Sequence, residues 1–234
     1  MLTAVRTHPG RVLTVNQDAC LVRPGQFPLY AVADGMGGHI GGEVASALAL
    51  STLSGLLKGA PEEGKLRAAV DAANRAVFDK GNEVPELRGM GTTLTCLWEG
   101  RRDFFMAHIG DSRCYLSRGG VLYRQSVDHS VVGDLVRRGL LTAKEAANYP
   151  YRNVITRALG PQYRVQADVL RWDKRPGDRL LLCSDGLTEY VKDDALSHLV
   201  PTLVPEALAD LLMQLALDGG GRDNITVLVG EVTA

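Results

Sequence analysis

Residues 92–124, TTLTCLWEGRRDFFMAHIGDSRCYLSRGGVLYR, decide the fold. Four short β-rich runs lie in this stretch: Thr92–Glu99, Phe104–Ile109, Arg113–Ser117 and Val121–Arg124. The breaks between them, Gly100-Arg101-Arg102-Asp103 and Arg118-Gly119-Gly120, have the composition of hairpin turns. Consecutive strands joined by such short turns run antiparallel. Strands grouped together, with helical segments before and after, indicate an α+β domain whose antiparallel sheets are covered by helices.

Working toward the N-terminus, residues 65–80 read as a helix, with Leu66, Ala69, Val70, Ala73 and Val77 at helical spacing. Residues 43–58 read as another, apolar nearly all round and therefore buried, ended by Gly59-Ala60-Pro61. Before it, the apolar run 28–34 reads as a strand that stops on Asp34. Residues 11–23 read as an extended pair around Asn16-Gln17-Asp18. Toward the C-terminus, residues 128–160 turn helical and polar. Val131, Val132, Leu135 and Val136 suggest a short helix, and Thr142 with Glu145 suggests a capping box. This segment reads as an insertion over the sheet edge, outside the core. Leu180–Ser184 is a wholly apolar strand. Residues 204–217 are an amphipathic helix with Pro205 in its first turn and Gly219-Gly220-Gly221 at its end, and Ile225–Val232 is a last strand. There is no internal repeat and no linker, so a single domain over 1–234 is expected.

Five acids stand where apolar strands meet small-residue turns: Asp18, Asp34, Asp111, Asp185 and Asp223. Asp34 is followed by Gly35, Met36, Gly37, Gly38 and His39, a loop nearly free of bulk. An Asp at a turn often serves only its own backbone. Five in comparable settings point instead to convergence. Clustered carboxylates repel unless a cation compensates them, and oxygen ligands of short reach select hard ions such as Mg²⁺ and Mn²⁺. Two such ions activate water and neutralise a phosphoryl group.

Composition excludes several classes. The 234 residues carry a formal net charge of −1, 45% hydrophobic and 23% charged residues, which is ordinary globular composition. The doublets Arg101-Arg102 and Arg137-Arg138 are too short for a nucleic-acid or membrane footprint. No apolar stretch approaches a membrane span and the N-terminus lacks a signal-peptide layout, so a cytoplasmic, soluble monomer is expected. Cys20, Cys96, Cys114 and Cys183 form no C-x-x-C pair, against a disulfide framework or a zinc site.

Taken in order, Asn16-Gln17-Asp18, Asp34-Gly35-Met36-Gly37-Gly38-His39, Gly91-Thr92-Thr93, Gly110-Asp111-Ser112-Arg113, Ser184-Asp185-Gly186-Leu187 and Arg222-Asp223-Asn224-Ile225-Thr226 resemble the motifs of bacterial protein phosphatase 2C enzymes, the metal-dependent Ser/Thr phosphatases. The resemblance runs from about residue 7 to the end. It implies an α-β-β-α sandwich, two antiparallel sheets packed face to face with helices outside. It further implies Mn²⁺ or Mg²⁺ as cofactor, two ions in the core site and a looser third. Asp34 and the Gly35 carbonyl, Asp185 and Asp223 would hold the pair, Asp111 with Asp185 the third, and Asp18 would act through metal-bound water. The 128–160 segment would be a mobile flap. The implied reaction is hydrolysis of phosphoserine and phosphothreonine in proteins, opposing a Ser/Thr kinase, by an activated water and without a covalent phosphoenzyme. A metal-bound water or His39 would protonate the leaving oxygen. His108 reads as a packed residue.

One position departs from the resemblance. An Arg that binds the substrate phosphate is expected five residues before Asp18, where this chain has Leu13. Arg11, two residues earlier on the same face of an extended strand, is the substitute the pattern suggests. The departure also admits a pseudophosphatase, a binding or scaffolding module on the same fold. Two weaker motifs compete: Cys96 with Arg102 has the C-x₅-R spacing of cysteine phosphatases, and Gly59 to Lys65 has the G-x₄-G-K spacing of a P-loop without its Ser/Thr.

Overall fold

The computed structural model describes residues 1–36, 41–142, 145–146 and 149–233. Two five-stranded antiparallel sheets form its centre. One is built from β1 (Leu2–His8), β12 (Ile225–Glu231), β11 (Arg179–Cys183), β8 (Arg113–Arg118) and β9 (Val121–Arg124), in that spatial order. The other runs β10 (Asp168–Asp173), β7 (Asp103–Ile109), β6 (Leu94–Glu99), β3 (Leu29–Ala33) and β2 (Ala19–Arg23). A two-stranded ribbon pairs β4 (Gly35–Met36) with β5 (Gly91–Thr92).

Alternation along the strands sorts side chains into three cores. Tyr30, Val32, Leu97, Phe104, Met106, Cys114, Leu116, Leu180, Leu182 and Leu228 fill the space between the sheets. The opposite faces pack outward. Leu29, Ala31 and Ala33 meet α1 (Gly42–Leu56) and α2 (Glu63–Glu83). Leu181, Cys183, Val227 and Val229 meet α6 (Pro205–Gly219) and the short helices α4 (Asp185–Thr188) and α5 (Asp193–Leu199). Central strands therefore bury both faces, which is why 180–183 is continuously apolar in an antiparallel sheet. The α-β-β-α sandwich is the architecture expected.

Several local readings need correction. Residues 11–18 are turns and bends, and only Ala19–Arg23 is a strand. Arg11 and Leu13 thus share no strand face. The strand read as Thr92–Glu99 breaks at Thr93, whose main chain turns to bond Asp34. Helix α1 is not buried all round: Leu56 is 54% exposed. The 128–160 segment is not wholly outside the core. Its ends are tied in by bridges Ser130–Ile155 and Thr92–Leu159, and Leu159 is fully buried. Between them α3 (Val131–Arg137) starts on a Ser130 cap, and Thr142 and Glu145 make the expected capping box.

Candidate active site

Antiparallel register brings the acids to one end of the sandwich. Ala19 pairs with Ala33, so Asp18 and Asp34 are the next residues outward on β2 and β3. Asp111 follows β7 in the same sheet. From the facing sheet, Asp185 follows β11 through Ser184, whose N–H donates to Thr226 O on β12. Asp223 immediately precedes Asn224 and β12.

Asp18 and Asp34 are held by neighbouring backbone and hydroxyl groups. The Asp34 N–H donates to Thr93 Oγ1 (2.9 Å), while Thr92 Oγ1 (2.9 Å) and the Thr93 N–H (2.8 Å) both donate to the Asp34 carbonyl. Thr93 Oγ1 also bonds Ser112 Oγ at 2.7 Å. Gly110, at φ +105°, turns the chain between β7 and Asp111, and a Cβ there would stand 2.5 Å from the Thr93 methyl carbon. A Cβ on Gly35 would fall 2.2 Å from the Gly42 carbonyl oxygen, which excludes any side chain beside Asp34. Ser184 Oγ donates to Asp18 Oδ2 (2.7 Å) and accepts the Thr226 N–H (2.9 Å). Asn224, 4% exposed, ties down the loop before Asp18. Its Nδ2 donates to the Pro9 and Val15 carbonyls, and its Oδ1 accepts the Gln17 N–H. Arg113 and Arg124 both bond Asp128 at the root of the 128–160 segment.

The carboxyl groups of Asp18, Asp34, Asp111 and Asp185 hold protons unusually well. Burial pushes Asp18 up to about 7, helped by the charges of Asp185 and Asp223 and opposed by its hydroxyl partners. Burial, then Asp185 and Asp128, raise Asp111 to about 8. Burial and then Asp223 raise Asp185 to about 6. Asp34 is raised well above the carboxylate range by burial and by the other four acids. Asp18 Oδ1 and Asp185 Oδ1 are shut off from solvent without a hydrogen-bond partner. Buried anionic oxygens left unpaired and mutually repelling suit a hard divalent cation. Among the described residues no three His, Cys, Asp or Glu side chains stand in an arrangement that could hold a metal ion. The donor set is nonetheless all oxygen, short-armed and shared between two sheets, which fits ions that keep several waters.

The sequence pattern of the protein phosphatase 2C family matches residues 10–216. The chain belongs to the protein phosphatase 2C family. Among phosphatase 2C relatives, it is 42% identical over 234 residues to the serine/threonine protein phosphatase PstP of Mycobacterium tuberculosis, covering 98% of this chain and 44% of that protein. It thus spans less than half the length of that relative. It is 36% identical over 236 residues to the serine/threonine phosphatase stp of Listeria monocytogenes, covering 97% of this chain and 94% of that protein. A crystal structure of the PstP catalytic domain in complex with two manganese ions superposes with a TM-score of 0.89 at 40% identity, covering 100% of this chain and 98% of that one.

Other residues singled out by pattern sit as follows. Arg11 lies in the loop, its main chain on Gly221 and its guanidinium on Asp218 Oδ1 at 2.8 Å. Leu13 on the same loop is 43% exposed. His39 lies outside the described residues. His108 is fully buried between Thr95 and the Val127 carbonyl, and burial lowers its pKa to about 4. Cys96 is buried in β6, its thiol pushed up to about 12 by burial, the opposite of an activated nucleophile. Gly64 and Lys65 lie inside α2, so no phosphate-cradling loop exists there. The hydroxyl partners Thr93, Ser112 and Ser184 escaped the sequence reading as functional groups; for Ser112 and Ser184 the signal was a hydroxyl directly beside a strand-end Asp, whereas Thr93 lies 59 positions from Asp34 and carries no such signal.

Proposed function

We propose that this phosphatase 2C chain hydrolyses phosphoserine and phosphothreonine in proteins, opposing a Ser/Thr kinase, with Mn²⁺ or Mg²⁺ as cofactor. One observation carries the reading. Five acids from two sheets share one end of the sandwich, and two of their buried oxygens have no partner. Asp34, the Gly35 carbonyl, Asp185 and Asp223 are the ligands proposed for two ions, and Asp111 with Asp185 for a looser third. When bound, such ions supply a water nucleophile at neutral pH and neutralise charge developing on the phosphoryl oxygens. The chain's own contribution is to keep the donors in place. Thr92 and Thr93 fix the Asp34 backbone, and Ser184 engages only Oδ2 of Asp18, leaving Oδ1 without a partner. His39 is proposed to give a proton to the leaving Ser or Thr oxygen. Cys96, Cys114 and Cys183 are buried, and burial raises the Cys20 thiol as well, which disfavours a cysteine nucleophile.

Residues 128–160 are proposed as a flap rooted at Asp128–Ser130. Arg11 is retained as the phosphate-binding proposal on the loop, on the condition that it leaves Asp218 when substrate arrives. No helix among the described residues is long and apolar enough to cross a membrane. A cytoplasmic, monomeric enzyme is proposed on that basis and on composition. The alternative of a non-catalytic scaffold has Leu13 as its sole motive.

Hydrolysis of p-nitrophenyl phosphate and of a phosphothreonine peptide, with Mn²⁺ and with EDTA, tests this. Both substrates should turn over with Mn²⁺ and neither with EDTA or in Asp185→Asn. Folded, Mn²⁺-loaded protein that cleaves neither would establish the scaffold instead.

A further inference from the structure

His129 makes two contacts to one glycine. Its N–H donates to the Gly110 carbonyl (2.7 Å), and its Nδ1 accepts the Gly110 N–H (3.2 Å). Nδ1 therefore carries no proton, and Nε2–H is left to donate to Asp168 Oδ2 at 3.2 Å. Arg157 Nη1 closes the outer side, 3.1 Å from Asp168 Oδ1; it also lies 3.2 Å from His129 Nε2, but with a hydrogen on both nitrogens that approach is no hydrogen bond, and Asp168 accepts from each. The ring is 1% exposed and stacks 4.9 Å from His108. The Thr156 N–H donates to the His129 carbonyl, so both ends of the flap root meet at this residue. Gly110 has no freedom on its other side, where the Thr93 side chain occupies the space of a Cβ.

We infer that His129 is a positioning residue for Asp111: by holding both polar groups of Gly110 it sets the direction in which the next residue's carboxylate faces the site. The inference rests on the proposed metal site and deepens it by naming what orients its third position. His129 touches neither phosphate nor ion. Its loss weakens uptake at Asp111 and leaves the sites on Asp34, Asp185 and Asp223 unchanged. The two ring nitrogens have different duties, and amide side chains separate them. In His129→Asn, Oδ1 stands where Nδ1 does and keeps the Gly110 contact while losing Asp168. In His129→Gln, the longer amide reaches toward Asp168 and gives up the Gly110 N–H, while the main-chain N–H of residue 129 stays on the Gly110 carbonyl in both variants.

Mn²⁺ titration by calorimetry, with bound ions counted by electron paramagnetic resonance, reads this without turnover. Near-UV circular dichroism confirms that each variant is folded. Wild type should show tight uptake and a separate weaker step, and Asp111→Asn should lose the weaker step. His129→Gln should weaken that step by about fivefold, the worth of one hydrogen bond, while His129→Asn stays within about twofold of wild type. In the Asp111→Asn background His129→Gln should change nothing further. The inference is overturned if Gln behaves as wild type and Asn does not. It is also overturned if both variants lower tight and weak steps alike, or if Asp111→Asn leaves the weak step intact. A wild-type protein that binds no Mn²⁺ overturns the metal reading itself, and this inference with it.

Discussion

Asp18 and Gly110 show what a single residue decides here. Asp18 was legible as one of five strand-end acids, but its hydrogen bond to Ser184 joins residues 166 positions apart and no spacing announces it. Gly110 was legible as a turn glycine. Its necessity comes from Thr93, which tertiary structure alone places against it. Gly110→Ala should therefore destabilise the fold by about 1–3 kcal/mol, through positive φ and collision with Thr93 together, a loss urea melts would register. A variant as stable as wild type would mean the turn relaxes freely. Leu13 is the residue where pattern and chemistry part. Half-exposed on a tethered loop whose one cation faces Asp218, it offers a phosphate no charge. Leu13→Arg should lower KM for a phosphopeptide several-fold with kcat little changed, because a guanidinium adds binding common to ground and transition states. Unchanged KM in steady-state assays would show that the loop does not meet the phosphate.

At the scale of elements, strongly periodic pieces were readable and edge pieces were not. Helices α2 and α6 and the central strands declare themselves because burial on defined faces forces a pattern. Strand β10 (Asp-Val-Leu-Arg-Trp-Asp) lies at a sheet edge with most side chains half in water, and its alternation is correspondingly weak. Strand β1 lies at the edge of the other sheet and was overlooked for the same reason. Residues 11–18 misled in the opposite sense. Their Val and Leu content suits a strand, yet the Asn224 side chain takes the backbone groups that a neighbouring strand would have paired. The inter-sheet layer is where element packing is most costly to disturb. Leu182→Ala, fully buried between the sheets, should cost about 2–5 kcal/mol in chemical denaturation; a cost below about 1 kcal/mol would mean the sheets close over the cavity.

For the whole molecule, the acids set an antagonism between folding and function. Asp185, Asp18 and Asp111 titrate near 6, 7 and 8 in the folded chain and near 4 once unfolded. Between those limits these three groups bind more protons folded than unfolded, so their contribution to the stability of the metal-free protein falls as pH rises from about 4 to 8, while His108, kept neutral by burial, acts in the opposite sense below about 6.5. Divalent ions compete with those protons. The gain in Tm on adding Mn²⁺ should thus be larger at pH 8 than at pH 5, as thermal melts with Mn²⁺ and with EDTA would show. A gain that does not grow with pH would remove these carboxylates from the ligand set.

The split of the acids between the sheets has a temporal consequence. Asp18, Asp34 and Asp111 belong to one sheet, Asp185 and Asp223 to the other. An ion seated among them is a cross-link that exists only after both sheets have formed and met, so it does little to speed folding and acts on the way out. Chelation should then quicken unfolding more than it slows refolding, and deuterium should enter first at the strand ends that carry the acids, with the opposite rim of the sandwich closed until the whole chain opens.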